Sequence, residues 1–506
     1  MKFLKICFLN HFVIKALLIS FSFSTFASDI EQADSYYEKQ QYELAINKYL
    51  KAAAVNEGKA FYQLGVMNYK GFGIEKDPVK ALVWFSLAAN YNYGDAKVVV
   101  ENLFKHANET DKAKLSQQVS IVKGKLKKNA LYLDYLPDIN VLALNSKVRF
   151  GDDDELDPAE LLKESESVGI DMFGVNINGS PSTSSDDSGG GFGGSDVNAG
   201  ILDVDVAQSY YLVAEYDIAP DGSIRNVTAK QSSGNEEANH ALYDLRRSNI
   251  ENPTLLAEQA HFAGISYRGI ASFNMYRMKN RYAYLYKTVR KQRTALQESD
   301  DPVDHYKYAM LLQTFPWLAS NKAQAMAALK QAAEKGFPLA EYQYGLKLYQ
   351  QQSDPKQAIH WISQAAKSGV NQAQYRLGTL LKHSPWIIED EKKAMFWFEE
   401  AATQGHIIAK QKAAEIKILT NDEQLKDIAG GASNLAAIEQ QQKEDPQYQY
   451  LQAMAHAKMD NRQLSKAVKH IRRAISYGKS LNWDVTVWRA QLKDWTSGGN
   501  VTIQDD

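Results

Sequence analysis

One pattern of small and aromatic residues recurs along this chain at a fixed period. Compare "AEYQYGLKLYQQQSDPKQAIHWISQAAKSGVNQA" (340–373) with "AQYRLGTLLKHSPWIIEDEKKAMFWFEEAATQGHIIA" (373–409). The frame starts at Ala340, Ala373 and Ala409, spaced 33 and 36 residues apart. It recurs near the start of the chain, where Ala60 and Ala96 are again 36 apart. Periods of this size mean stacked helical hairpins, in which no single unit buries its own apolar face.

Within a unit, helix A reads Ala-x-Tyr-x-Leu/Tyr-Gly and helix B reads Ala-x-x-Trp/Leu-x-x-x-Ala-Ala. Glycine inside a helix costs about 1 kcal/mol relative to alanine. Gly65, Gly345 and Gly378 nevertheless share one phase, which predicts close approach of helix B with its small Ala88-Ala89, Ala365-Ala366 and Ala401-Ala402 pairs. Tyr62, Trp84, Tyr342, Trp361, Tyr375 and Trp397 are then expected to fill the space between units. Gly336, Gly369 and Gly405 mark left-handed helix ends. Asp77-Pro78 and Asp354-Pro355 supply a capping carboxylate followed by a proline at the first helical position.

On A-x-Y-x-L-G, the D-x-x-K-A-x-x-W core and A-A-x-x-G, these units resemble Sel1-like repeats, relatives of the tetratricopeptide repeat. The resemblance covers about 60–96 and 304–409, with a looser unit at 304–339 where Ala309 stands in the glycine position. The stretches 36–55 and 450–478 look like tetratricopeptide hairpins that flank or cap the arrays. What the resemblance implies is an α-solenoid that binds other proteins.

The first 27 residues carry Lys2, Lys5 and Lys15, then an apolar run from Ala16 to Ala27, with Thr25 and Ala27 placed for a cut before Ser28. This predicts a cleaved secretory signal peptide and a periplasmic chain. The alternative is an uncleaved inner-membrane anchor, which would have to bury Lys15. The only cysteine, Cys7, lies in the leader. The remainder can form no disulfide and no Cys-ligated metal site. A net charge of −2 argues against a nucleic-acid surface. The basic run "IRRAISYGK" (471–479) reads as a solvated helix face.

Between the repeats the composition changes. The run 151–166 is acidic and 176–200 is rich in Gly and Ser, so 131–207 is expected to be a linker. The acidic run lacks the ligand spacing of a calcium loop. After it, "YYLVAEYDI" (210–218) alternates, with Tyr210, Leu212, Ala214, Tyr216 and Ile218 on one face. Asp221-Gly222 predicts a hairpin turn, and "IRNVTAKQS" (224–232) returns. An amphipathic helix over 235–248 and a third alternating run over 264–278 complete a β-β-α-β order. On "PDGSIRNV", "QSSG" and "ALYDLRRSNIENP", residues 208–280 resemble the TonB C-terminal domain. The resemblance implies that an extended peptide can add to the last strand, at an edge made of Ile265, Tyr267, Arg268, Ile270, Phe273 and Met275. A TonB-type transducer would also need an anchor and a Pro-rich spacer. This chain has 12 prolines and no such tract.

No H-E-x-x-H, G-x-S-x-G or P-loop is present. The ten histidines are scattered, and His360 and His406 read as structural or surface residues. "SYGK" (476–479) has the S-x-x-K spacing without a partner motif. The sequence therefore predicts a mainly α protein: two α-solenoid arrays flank a small α+β domain. The expected order is signal peptide 1–27, repeats 28–130, linker 131–207, TonB-like domain 208–280, Sel1-like array 281–430 and capping helices with a tail 431–506. The expected function is non-enzymatic: a scaffold for other envelope proteins or their peptide segments, with no cofactor, metal or nucleic acid. A membrane enters only if the leader is retained. The alternative function is a TonB-family energy transducer of outer-membrane transport.

Overall fold

The computed structural model describes residues 29–54, 58–90, 93–104, 132–151, 210–321 and 323–497, with a few helical positions between 113 and 121. The expected leader, and the acidic and Gly/Ser-rich stretch from 152 to 207, lie outside the described residues. Contacts divide the described chain into two compact units. One holds 147–151, 210–290 and 314–318. The other holds 29–146, 291–313 and 319–497.

The helical unit begins with α1 (Asp29–Glu38), α2 (Tyr42–Ala54), α3 (Gly58–Lys70), α4 (Pro78–Asn90) and α5 (Ala96–Phe104). Its core is Ala45, Tyr49, Phe61, Leu64, Met67 and Leu87. Asp77 caps α4 by accepting the Lys80 N–H at 2.9 Å, as the Asp-Pro pair predicts. That bond, with the Lys80 ammonium, holds the Asp77 carboxyl below its ordinary range.

The sheet unit carries β1 (Arg149–Phe150), β2 (Tyr211–Ile218), β3 (Ile224–Ser233), α6 (Asn235–Arg247), β4 (Pro253–Leu255), β5 (Glu258–Gln259) and β6 (Phe262–Gly269). β3, β2 and β6 form one antiparallel sheet in that order, and β1, β4 and β5 a second, smaller one. The β-β-α-β order expected from sequence is present, with α6 packed on β3 and β2. The turn closes through Gly222 N–H to the Ala219 carbonyl at 2.9 Å, and Gly222 adopts φ +74°.

All eight residues of β2 are buried, not just one face. The second face stays inside because its polar groups find partners. Lys230 donates to Glu215 at 2.5 Å, Asn226 to Asp217 at 2.8 Å, and the Tyr211 hydroxyl to Gln231 at 2.6 Å. Burial pushes the Tyr211 phenol up to about 12.

The third strand is shorter than the sequence suggested. It ends at Gly269, whose φ of +64° breaks the extended run. A 3₁₀ turn, Ile270–Ser272, follows. Asn274 then caps α7 (Met275–Arg281) by accepting the Arg277 N–H at 2.9 Å. The alternation over 270–275 therefore belongs to a turn and a helix start.

Beyond α8 (Ala283–Gln297) the hairpins run α9 (Pro302–Thr314) with α10 (Gln324–Glu334), α11 (Pro338–Gln351) with α12 (Pro355–Lys367), and α13 (Asn371–His383) with α14 (Glu391–Thr403). Then come α15 (Ile407–Leu419), α16 (Ile428–Ala436), α17 (Glu439–Gln442), α18 (Pro446–Lys458), α19 (Leu464–Ser480) and α20 (Thr486–Thr496). Gly336, Gly369 and Gly405 take φ of +79°, +81° and +86° at the ends of the second helices.

The helix-A glycines do permit close approach, but not against the alanine pair. A Cβ on Gly65 would meet the Phe85 ring at 2.8 Å, and one on Gly378 the Phe398 ring at 2.7 Å. On Gly345 it would meet the Ala358 carbonyl and Ile362 at 2.9 Å. Each glycine receives a large side chain from the same phase of helix B. The tryptophans also divide. Trp397 is fully buried, while Trp84 and Trp361 are half-buried, as is Tyr62.

Candidate peptide-recognition surface

Residues 132–146, assigned to the linker from their sequence surroundings, instead lie as a strap along the α13–α14 hairpin. The aromatic residues at its start explain the docking. Tyr132 is buried and stacks on Trp397, with centroids 5.3 Å apart and planes at 19°. Tyr135 stacks on Phe396 at 3.8 Å and 8°. The Trp397 indole Nε1–H donates to the Tyr135 carbonyl at 2.8 Å.

Lys393, Phe396, Trp397 and Glu400 stand at i, i+3, i+4 and i+7, so α14 presents them as one stripe. Lys393 pairs with Asp138 at 2.6 Å. Asp138 is 70% exposed, so this pair orients the strap more than it holds it. Burial, and then the nearby carboxylates of Glu400 and Asp29, raise the Tyr132 phenol above its ordinary range.

Farther along, the strap becomes extended and pairs with the loop between α13 and α14. Ile139 bridges Ile387 in antiparallel register. The Ile388 N–H donates to the Asp138 carbonyl and the Asn140 N–H to the Trp386 carbonyl, each at 2.9 Å. The Asn140 side chain donates to the Pro385 carbonyl at 3.1 Å. The Trp386 indole donates to the Ser146 carbonyl at 3.0 Å. Trp386 itself is fully buried, edge-on to Tyr349 at 5.0 Å. Ring stacking and the Trp397 indole bond thus hold the 3₁₀ turn Leu133–Tyr135 on the hairpin, and pairing around Ile139 holds a short extended stretch beside it. Each aromatic pair contributes about 0.5–1.5 kcal/mol beyond area burial, and each neutral hydrogen bond about 1 kcal/mol.

The first helix reaches the same array. The Asp29 N–H donates to the Ser368 carbonyl at 3.1 Å, and its side chain lies against Gly369 and accepts from Lys48 at 2.8 Å. A relay of amides continues the joint: Gln32 donates to Gln404 at 2.8 Å, Gln404 to Gln374 at 2.7 Å, and Gln374 to the Ala366 carbonyl at 3.1 Å. The N-terminal helices and the later repeats therefore belong to one unit. His406 has a structural task there. Its Nδ1 accepts the Ala409 N–H at 3.1 Å and caps α15, its other nitrogen lies 2.8 Å from Gln372, and its ring stacks on Tyr375.

The edge residues expected from sequence separate in space. Ile265, Tyr267 and Arg268 lie on β6, Ile270 is buried in the 3₁₀ turn, Phe273 lies under the Arg277 guanidinium at 3.8 Å, and Met275 opens α7. The Ile270 N–H bonds to the Tyr210 carbonyl at 2.8 Å, level with it across the sheet. Antiparallel bonds alternate. Hence even-numbered β6 residues face β2, and Ala263, Ile265 and Tyr267 turn their backbone groups to the outer side.

Among the described residues no group of three or more His, Cys, Asp or Glu is placed to hold a metal ion, and no helix is long and apolar enough to cross a membrane.

Residues 59–90, 338–370 and 371–406 match the Sel1 repeat family. These three stretches are similar to Sel1 repeats. The strap therefore docks on the last of the three matched Sel1 units, and the α1 joint falls at the boundary of the last two. Among solved structures, the chain is similar to a Sel1 repeat protein from Oxalobacter formigenes, with 20% identity and TM-score 0.32, over 44% of this chain and 62% of that one. It is similar to c5321, a protective antigen of uropathogenic Escherichia coli with an SLR fold, with 14% identity and TM-score 0.31, over 92% of this chain and 83% of that one. A third is yeast Tom70, with 13% identity and TM-score 0.27, over 92% and 79%. No curated protein matches the chain.

Proposed function

We propose that this chain is a non-enzymatic periplasmic scaffold whose Sel1 repeats bind extended segments of other cell-envelope proteins. The supporting observation is the docked strap. The repeat hairpin already accepts a separate chain segment, a 3₁₀ turn gripped by stacked rings and an indole donor followed by a short extended stretch paired at Ile139, with a peripheral ion pair. The leader-like start of the sequence supports export. The likeness of 208–280 to TonB C-terminal domains supports a second docking mode, addition of a strand at the outer edge of β6, which would have to be uncovered first because Ala263 and Ile265 are buried.

The test is site-specific photocrosslinking in cells, with the crosslinker placed at exposed positions on α12 and at Tyr267, together with the mass of the mature N-terminus. The reading expects a start at Ser28 and adducts to envelope proteins. A retained Met1, with adducts confined to outer-membrane transporters and loss of uptake on deletion, would replace it with an anchored transducer.

A further inference from the structure

The helix α19 carries Lys466, Lys469, His470, Arg472, Arg473 and Lys479 and no Asp or Glu. Lys466, Lys469 and Arg473 are spaced by three and four residues, so they line one face of the helix, and Arg462 lies in the loop two residues before it. Arg462, Lys466 and Arg473 are exposed and Lys469 half-exposed. Among the described residues none of the four forms an ion pair. The opposite face of α19 is spent on the core, where Ala467, Val468, Ile471, Ala474 and Gly478 are buried. A cationic row without counter-charges, in a chain of net charge −2, is a cost that a bound anion would remove.

The charges also reach inward. His470 stacks on His456 of α18 at 5.4 Å and 23°, and its Nδ1 lies 2.8 Å from Gln449 Oε1. Burial first, and then His456, Arg473, Lys469 and Lys466, disfavour the charged His470. Three of the four stripe residues thus bear on one half-buried imidazole.

We propose that the Arg462–Arg473 stripe docks an acidic, extended segment of a partner protein. The row is linear, roughly 10 Å along the axis from Lys466 to Arg473 at about 1.5 Å per residue, which suits a line of carboxylates. A membrane surface fits less well, because the helix has no free apolar face to insert. The near-neutral chain fits nucleic acid less well. The proposal rests on the reading that the chain works by binding proteins.

The test uses the full chain and a fluorescein-labelled deca-glutamate peptide, followed by fluorescence anisotropy at low and high salt. Binding is expected at low salt, weakening several-fold at high salt. The triple variant Lys466→Glu, Lys469→Glu, Arg473→Glu should bind at least about tenfold more weakly, with circular dichroism unchanged. In the wild-type chain, peptide should shift the His470 titration upward by NMR, because the charges that depress it become neutralised. Equal binding by the triple variant, no upward shift of His470, or preferential binding of anionic vesicles or duplex DNA would overturn the proposal. Envelope adducts at α12 with no peptide binding at the stripe would sink the stripe alone and leave the scaffold reading intact.

Discussion

Trp397 donates its indole N–H to the backbone carbonyl of Tyr135, 262 residues earlier in the chain. This single bond, with the ring stacks beside it, turns a segment that composition would leave as tether into part of the repeat surface. Replacing Trp397 by Phe removes the donor and keeps a ring for Tyr132, so the cost should be about 1 kcal/mol. Replacing it by Ala also removes the buried ring and should cost about 3–5 kcal/mol. Hydrogen exchange at the Ile388 and Asn140 amides, whose bonds register the strap against the loop, should accelerate in both variants. Protection unchanged in Trp397→Ala would mean that the strap is held by the loop pairing alone.

The repeat glycines are constrained in two different ways, and the contrast can be measured. At Gly378 an added Cβ would sit 2.7 Å from the Phe398 ring. Gly378→Ala should therefore destabilise by about 1–3 kcal/mol through overpacking, despite alanine's better helix propensity. Phe398→Leu in the same chain should recover part of the loss. At Gly336 nothing lies within 4 Å, but φ is +79°. Gly336→Ala should cost only about 1 kcal/mol of backbone strain, and no neighbouring truncation should relieve it. Thermal unfolding of the three variants distinguishes the two cases.

These examples also show what the sequence could and could not reveal. The hairpin period, the Asp caps, the left-handed glycines and the Asp221-Gly222 turn were legible because each depends on a local rule. The partner of the helix-A glycine was not, because phase along one helix does not say which residue of the next will face it. The strap is not legible in the sequence because its information lies in pairs 240 or more residues apart, such as Trp386 with Ser146. The over-long third strand had a readable correction: Asn274 is a capping residue and Gly269 a breaker, but alternation outweighed both. The boundary of α1 was likewise invisible, since Asp29 looks like an ordinary polar residue and is buried against Ser368 and Gly369.

Asp29 should behave as a clasp between the first helix and the array. Its side chain is 4% exposed and its Lys48 partner 20% exposed. Asp29→Ala leaves the Lys48 ammonium in a partly dry site and should cost about 1–3 kcal/mol. Asp29→Asn keeps the shape and one acceptor and should cost less. Exchange of the amides in α1 should quicken while those in α18 stay protected. A uniform loss of protection would instead mark Asp29 as a determinant of the whole unit's stability.

The stacked pair of His456 and His470 sets an acid limit on the last hairpin. Burial, and then the charge of Lys466, lowers the basicity of His456. Burial and the surrounding cations hold His470 down to about 4. The unfolded chain has ordinary histidines, near 6.5. Between these values the unfolded state binds more protons than the folded one, so stability rises with pH in that window and is lost as pH falls from about 6.5 toward 4. His470 is partly solvated, so the loss should be on the order of 1–2 kcal/mol rather than the full linkage value. Exchange within α18 and α19 should accelerate from pH 7 to pH 5, after correction for the intrinsic rate, more than exchange within α13 and α14. His470→Gln should flatten that difference, since glutamine has no proton to gain. A pH response of the same size in the variant would place the acid sensitivity on carboxylates elsewhere in the unit.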